Sequence, residues 1–313
     1  MQTKSAIKTF GLFAVLICSA ISAFAQRGYK MEYGGTIGMS NYLGEIGGKA
    51  EEAKPFIYDM KMAKTRWNPG LFVKYQFHPM FAVRGAFNYL RIAGEDALST
   101  NPGRQYRNLS FRNDIFELNG TVHWLFFNPT RPTGIYRRSS IYVTAYVFAG
   151  IGGFMHNPKA LYQDEWIDLR SLKTENTAYG KYSFCVPTGL GFYVTINQRR
   201  RAHRIGLEVN WRYTGTDHLD DISKNSWENP STQSNLSAAL ANRNPELGSQ
   251  QPDGFAGNYG WHDANGDGAN DNLAPRGDPN DKDSFITLNV TYGYSFKAKY
   301  NRSRGRKIRS VTF

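Results

Sequence analysis

From residue 28 onward the chain repeatedly alternates apolar and polar side chains with a period of two, the spacing of strands whose side chains point to opposite faces. In the clearest stretch Ile205, Leu207, Val209, Trp211 and Tyr213 share one face, and Gly206, Glu208, Asn210 and Arg212 share the other. Phe116, Leu118, Val122, Trp124 and Phe126 likewise oppose Glu117, Asn119, Thr121 and His123. Strands are expected near 28–40, 67–78, 81–93, 113–127, 140–154, 182–196, 203–216 and 283–297. Each is roughly 11 to 15 residues long, beyond the usual soluble strand of about 5 to 6. That length suits a tilted strand crossing a bilayer, which takes about 9 to 11 residues. The fifth strand is apolar on both faces, and Pro187 in the sixth predicts a bulge, because proline removes a ladder hydrogen bond.

The connections sort by length. Those after strands two, four and six are short (79–80, 128–139, 197–202), and those after strands one, three, five and seven are long (41–66, 94–112, 155–181, 217–282). Outer-membrane barrels have even strand numbers, short periplasmic turns and long outer loops. The expected fold is therefore all-β: an eight-stranded antiparallel transmembrane up-and-down β-barrel with long extracellular loops. It would occupy 26–297 in the outer membrane, with both termini periplasmic.

A barrel of this size is narrow and filled by its own side chains. Parity sends Glu32, Lys74, Arg84, Glu117, Glu208 and Arg212 inward, three acids and three bases. Buried charges are tolerable when paired. Counting from the periplasmic ends puts Glu32, Lys74, Arg84 and Glu208 in one layer, with Glu117 and Arg212 in a higher one. This set reads as a structural plug in preference to an ion path.

Charge and composition refine the picture. Lys4 and Lys8, the apolar run 10–21 and Ala23-Phe24-Ala25 form a signal peptide over 1–25, cleaved before Gln26. A lipoprotein would use Cys18, but Ile17 is large where lipidation needs a small residue. The mature chain keeps only Cys185, so no intrachain disulfide can form. The net charge of +12 suggests nucleic-acid binding until its location is considered. Two charges leave with the leader, seven lie in an acid-free tail (Lys297, Lys299, Arg302, Arg304, Arg306, Lys307, Arg309), and +3 remains for everything between. No nucleic-acid module accompanies the tail. The short connections carry Arg131, Arg137, Arg138, Arg199, Arg200 and Arg201, whereas the 217–282 loop has eleven acids against four Lys or Arg. One end of the barrel is cationic and the other acidic.

Candidate chemistry is sparse. Asp263, Asn265, Asp267 and Asp271, with Gly268 in the glycine position, follow the first nine places of a calcium loop, but Ala274 stands where the bidentate Glu belongs. The competing reading is a series of Asn-Gly and Asp-Gly turns. His218 lies among Asp217, Asp220, Asp221 and Ser223, a set compatible with a rim hydrolase and more often a solvated, hydrogen-bonded rim. His78 and His123 are expected to line the barrel. The Gly150-Ile151-Gly152-Gly153 run fits tight strand packing. On this reading the protein is not an enzyme, and calcium at 263–271 is its one candidate cofactor.

Two further stretches carry a resemblance. Gly38-Met39-Ser40-Asn41-Tyr42-Leu43-Gly44-Glu45-Ile46-Gly47-Gly48 follows the first strand, and Thr216-Asp217-His218-Leu219-Asp220-Asp221-Ile222-Ser223 ends the seventh. Together they resemble the PorG-type outer-membrane component of the type IX secretion system, with Glu45 where that family usually has Asp. The resemblance implies association with the periplasmic ring of PorK-type lipoprotein and PorN-type subunits, which such proteins help connect to the membrane. A filled barrel cannot pass a folded protein, so the implied role is anchor and adaptor rather than conduit. The basic tail would dock on an acidic periplasmic partner or on anionic lipid, the alternative being a solvated tail. A small passive channel and a lipid-modifying enzyme are the competing functions.

Overall fold

The computed structural model describes residues 30–46, 62–128, 139–198, 201–248, 260–261, 270, 276–278 and 282–297. The leader, the 263–269 part of the calcium-like run together with Asp271, and the tail beyond Lys297 lie outside them. Eight long strands form the wall: β1 (Lys30–Leu43), β2 (Arg66–His78), β3 (Phe81–Glu95), β4 (Ser110–Phe127), β5 (Ser139–Met155), β8 (Tyr182–Gln198), β9 (Arg201–Thr214) and β10 (Ser284–Lys297). A short hairpin, β6 (Pro158–Tyr162) and β7 (Glu165–Asp168), stands between β5 and β8. Each wall strand pairs antiparallel with its neighbours in chain order, and β1 closes onto β10 from Lys30↔Lys297 to Leu43↔Ser284. The fold is a closed eight-stranded antiparallel barrel.

The burial pattern is the reverse of a soluble protein's. Ile151, outward on β5, is 76% exposed and Leu118, outward on β4, is 67% exposed, whereas the inward Glu117 is 0% exposed. On β4 the outward apolar side chains run from Phe116 to Phe126, about 25 Å along the axis at the usual rise and tilt. Trp67, Tyr89 and Phe116 mark one edge of this band, and Phe81, Trp124, Phe126 and Tyr292 mark the other. Apolar side chains stay on the outside of a cylinder when hydrocarbon surrounds it, so the wall is built to span a membrane.

The strands outrun the expected segments at the long-loop end, where β1 reaches Leu43 and β4 begins at Ser110. There Asn41, Tyr42 and Leu43 are buried in succession, because loops cover the outer face and the alternation that marks a lipid-facing strand disappears. Pro187 makes no bulge. The β5–β8 register is the same on both sides of it, with only an interrupted ladder, and the β8–β9 pairing runs through Pro187↔Arg212. The irregularities fall instead between Tyr75 and His78 and between Trp124 and Phe127, both at the short-turn end. His78 does not line the barrel. It is exposed at the β2–β3 turn, where its Nδ1 accepts from the Met80 amide at 3.2 Å.

Beyond the wall, β6 continues the sheet from β4 through Arg112↔Lys159 and Asn113↔Pro158. Ala160 of the hairpin and Leu169, just after it, pack against Leu240 of the helix Asn235–Ala241, giving the long loops a small core of their own. Ser234 caps that helix by accepting from the Ser237 amide at 3.2 Å.

Candidate functional site

Two ionic layers cross the interior. In the lower one, Glu32 and Lys74 are register partners with Lys74 Nζ 3.5 Å from Glu32 Oε2, and Arg204 of β9 bonds the same oxygen. Arg84 donates through Nη1 to both Glu208 oxygens, at 2.6 and 2.9 Å, and the Tyr146 hydroxyl donates to Glu208 Oε1. Lys74 also lies 4.7 Å above the Tyr193 ring. Space for this layer comes from glycine: a Cβ on Gly293 would sit 2.1 Å from Glu32 Oε1. His123 lies inward here, stacked 5.0 Å from Phe148.

The upper layer is built on Glu117. It accepts from Arg212 Nε at 2.6 Å, Asn88 Nδ2 at 2.9 Å and the neighbouring Asn119, while Arg212 Nη1 donates to Thr287 Oγ1 at 2.8 Å. All six charges expected inside are therefore inside, in the two expected layers. Arg204 is a seventh that the sequence reading passed over, although it shares the parity of Glu208 and Arg212 on one strand.

The long-loop mouth is closed by the segment after β9. Leu219 and Ile222 are fully buried among Leu90, Ile92, Ile115 and Phe285. Asn113 Nδ2 donates to the Leu219 carbonyl at 2.7 Å, and the Leu219 amide donates to Asp283 Oδ2 at 2.8 Å. The Tyr42 hydroxyl lies 2.7 Å from Asp220 Oδ2 and 2.5 Å from Asp283 Oδ1. It carries one proton, so the second contact requires a proton on one of the carboxyls. Gly44 permits this fold, since a Cβ there would meet the Tyr42 hydroxyl at 2.1 Å. The two sequence motifs thus meet: Tyr42, Gly44 and Glu45 from one, Leu219, Asp220 and Ile222 from the other.

Other loops complete the cap. Asp221 sits in the left-handed region (φ 72°) and accepts from the Tyr179 hydroxyl and from Thr174. Glu175 accepts from the Ser223 and Lys224 amides and pairs with Arg276. Arg107 donates to Asp96 at 2.7 and 2.9 Å, to the Glu45 carbonyl at 3.0 Å, and to the Arg276 carbonyl. The rim is hydrogen-bonded as expected, but its Asp217, Asp220 and Asp221 are buried and His218 is half-buried, not solvated.

Burial dominates the electrostatics of the cap. It pushes Glu45 up to about 9, reinforced by the charge on Asp220. It raises Asp220 to about 6 and Asp221 to about 7, and it lifts Asp283 well above the ordinary range with help from Asp220. His156 is pushed down to about 4 by burial and by neighbouring His218. His218 stacks 4.3 Å from Tyr179, while Ser223 Oγ donates to Glu175 Oε2 at 2.9 Å, so these two side chains are engaged separately. A cavity of about 10 Å³ among the cap loops, lined in part by Ile46, Asp220 and Arg276, has room for about one water. Among the described residues no group of His, Cys, Asp or Glu has the arrangement of a metal site.

These features define a class: a membrane-spanning, side-chain-filled eight-stranded barrel with a folded cap over one mouth. The chain belongs to the family described as Domain of unknown function (DUF6089), which matches residues 10–239. No curated protein matches it. Among solved structures it is similar to the outer membrane protein OprG from Pseudomonas aeruginosa (8% identity, 87% of this chain and 98% of that one, TM-score 0.36). It is also similar to Ail, the attachment invasion locus protein of Yersinia pestis (10%, 86% and 99%, 0.33), and to Neisserial surface protein A (8%, 87% and 98%, 0.32). The closed antiparallel strand pairing itself defines the fold.

Proposed function

We propose that this protein is an outer-membrane anchor and adaptor of a type IX protein secretion machinery, holding a periplasmic ring of the PorK/PorN type to the membrane. The observation that carries the reading is the filled barrel. Two cross-braced ionic layers and a packed cap occupy the bore, so the wall serves as a rigid fixture and not as a conduit. Meeting of the two motif segments in one cap supports the resemblance that names this machinery. In this orientation the short connections and the tail, with Lys297, Lys299, Arg302, Arg304, Arg306, Lys307 and Arg309, lie on the periplasmic side and offer cationic contacts to the ring. The protein itself performs no catalysis in this role.

Deleting residues 298–313 in intact cells and recovering the ring by affinity purification tests the tail. The deleted form is expected to co-purify several-fold less ring protein, and unchanged recovery would remove the tail as the contact. Single-channel recording of the purified barrel separates anchor from passive pore: silence is expected, and steady conductance counts against a plugged interior.

A further inference from the structure

The outer surface of the wall at the long-loop end carries a feature that neither the bore nor the cap uses. Asp114, outward on β4, accepts from Tyr89 at 2.6 Å and from Arg91 Nε at 2.6 Å, and Arg112 Nε stands 3.8 Å from its other oxygen. One carboxylate thus faces two guanidiniums, and among the described residues neither arginine pairs with a second acid. Lys159, opposite Arg112 in register, is already neutralised by Asp168 at 2.9 Å. The set keeps a surplus positive charge. It is not sealed off, since the side chains of Arg91, Arg112 and Asp114 retain 28%, 23% and 24% of their exposure.

Its height is defined by what lies beneath. Arg91↔Asp114 is the register pair directly above Tyr89↔Phe116, whose rings lie 5.3 Å apart at the edge of the apolar band. Aromatic girdles mark the boundary between hydrocarbon and head groups, so the guanidiniums begin one residue pair into the head-group layer. The β6–β7 hairpin then swings Trp166 over Arg112, with the guanidinium carbon 3.9 Å from the ring centre, while Trp166 stays 43% exposed. The stack and the carboxylate hold two planar forks in place at lipid-phosphate height. Forks of this kind match phosphate oxygens bidentately.

We propose that Arg91 and Arg112, positioned by Asp114 and Trp166, bind the phosphate group of an anionic lipid head group in the leaflet at the long-loop end. This rests on the membrane-spanning reading above. The test first asks whether the purified protein floats with phosphatidylcholine vesicles. Failure to float would overturn that reading and the site with it. Protein in nanodiscs is then titrated with bisphosphorylated lipid A and with its dephosphorylated counterpart, and bound lipid is counted by native mass spectrometry. Binding at least tenfold tighter to the phosphorylated lipid is expected. The single variants R91Q and R112Q each keep one fork and should weaken it threefold or more. Equal binding of the two lipids, or undiminished binding by both variants, would overturn the site. Inorganic phosphate alone, up to millimolar concentration, should not displace the lipid; displacement would move the ligand from a lipid to a soluble anion and overturn the assignment.

Discussion

The bore and the cap are both packed with charge, yet they solve the problem of burying it in opposite ways. Inside the wall each carboxylate faces a cation: Glu32 has Lys74 and Arg204, Glu117 has Arg212, and Glu208 has Arg84. In the cap the carboxyls of Asp220 and Asp283 converge on one tyrosine hydroxyl with Glu45 close by, and protons replace the missing cations. Guanidiniums stay charged at any physiological pH, so the bore is a permanent brace. The acids around Tyr42 stabilise the cap most when they keep their protons, alongside its Asp96–Arg107 and Glu175–Arg276 pairs.

The sharpest way to break this contrast is to strip a partner from the brace. Arg212→Met leaves Glu117 buried without a counter-charge and should cost about 3–5 kcal/mol in a denaturant titration of the refoldable barrel. Adding Glu117→Leu should recover much of that loss. Next comes space: Gly293→Ala intrudes on Glu32 and should cost about 1–3 kcal/mol, whereas the outward Gly85→Ala, with nothing within 4 Å, should change stability by about 0.5 kcal/mol or less. In the cap, Tyr42→Phe removes the hydroxyl between Asp220 and Asp283 and should cost about 1 kcal/mol, seen as faster hydrogen exchange at the 219–222 amides with the wall strands unchanged.

An effect confined to the cap comes from pH. Carboxyls raised above their unfolded values keep protons in the folded cap that an opened cap releases. The contribution of these carboxyls is therefore full near pH 4 and is lost as pH rises through about 6 to 9, the range set by Asp220, Asp221 and Glu45, while His156, depressed to about 4, contributes in the opposite sense and loses its share as pH falls below about 6. Exchange at the 219–222 amides, corrected for intrinsic base catalysis, should quicken between pH 5 and 9 while the β4 and β9 amides hold steady. Equal acceleration in both regions would erase the distinction.

Where the wall touches lipid, the fold was legible in the chain. Alternation located the barrel strands, apart from the fifth with its two apolar faces, because one face meets hydrocarbon and the other meets ions, and it assigned Glu32, Lys74, Arg84, Glu117, Glu208 and Arg212 to the bore. Arg204 carried the same signal within the expected 203–216 strand, one residue before the clearest alternating run at Ile205. Above the band that two-way division ends. Tyr42 at the end of β1, Asp96 and Arg107 of the β3–β4 connection, Glu175 and Asp283 come together from distant parts of the chain, and no periodic pattern encodes such contacts. The motif pair marked two walls of the cap without naming what joined them. The β6–β7 hairpin escaped because four- and five-residue strands in a polar loop give too short an alternation, and Pro187 misled because its missing donor interrupts a ladder without shifting its register.

The seam has a consequence for the order of assembly. Strands β1 and β10 come from opposite ends of the described sequence, so until β10 has been synthesised β1 and β9 each present a full row of unsatisfied amides and carbonyls. The stretch 217–282 is made first, and it includes the plug that must settle over the mouth. A nascent chain thus carries its lid before its cylinder can shut, and any mishap that removes the final fourteen-residue strand would leave two sticky borders rather than a smaller barrel.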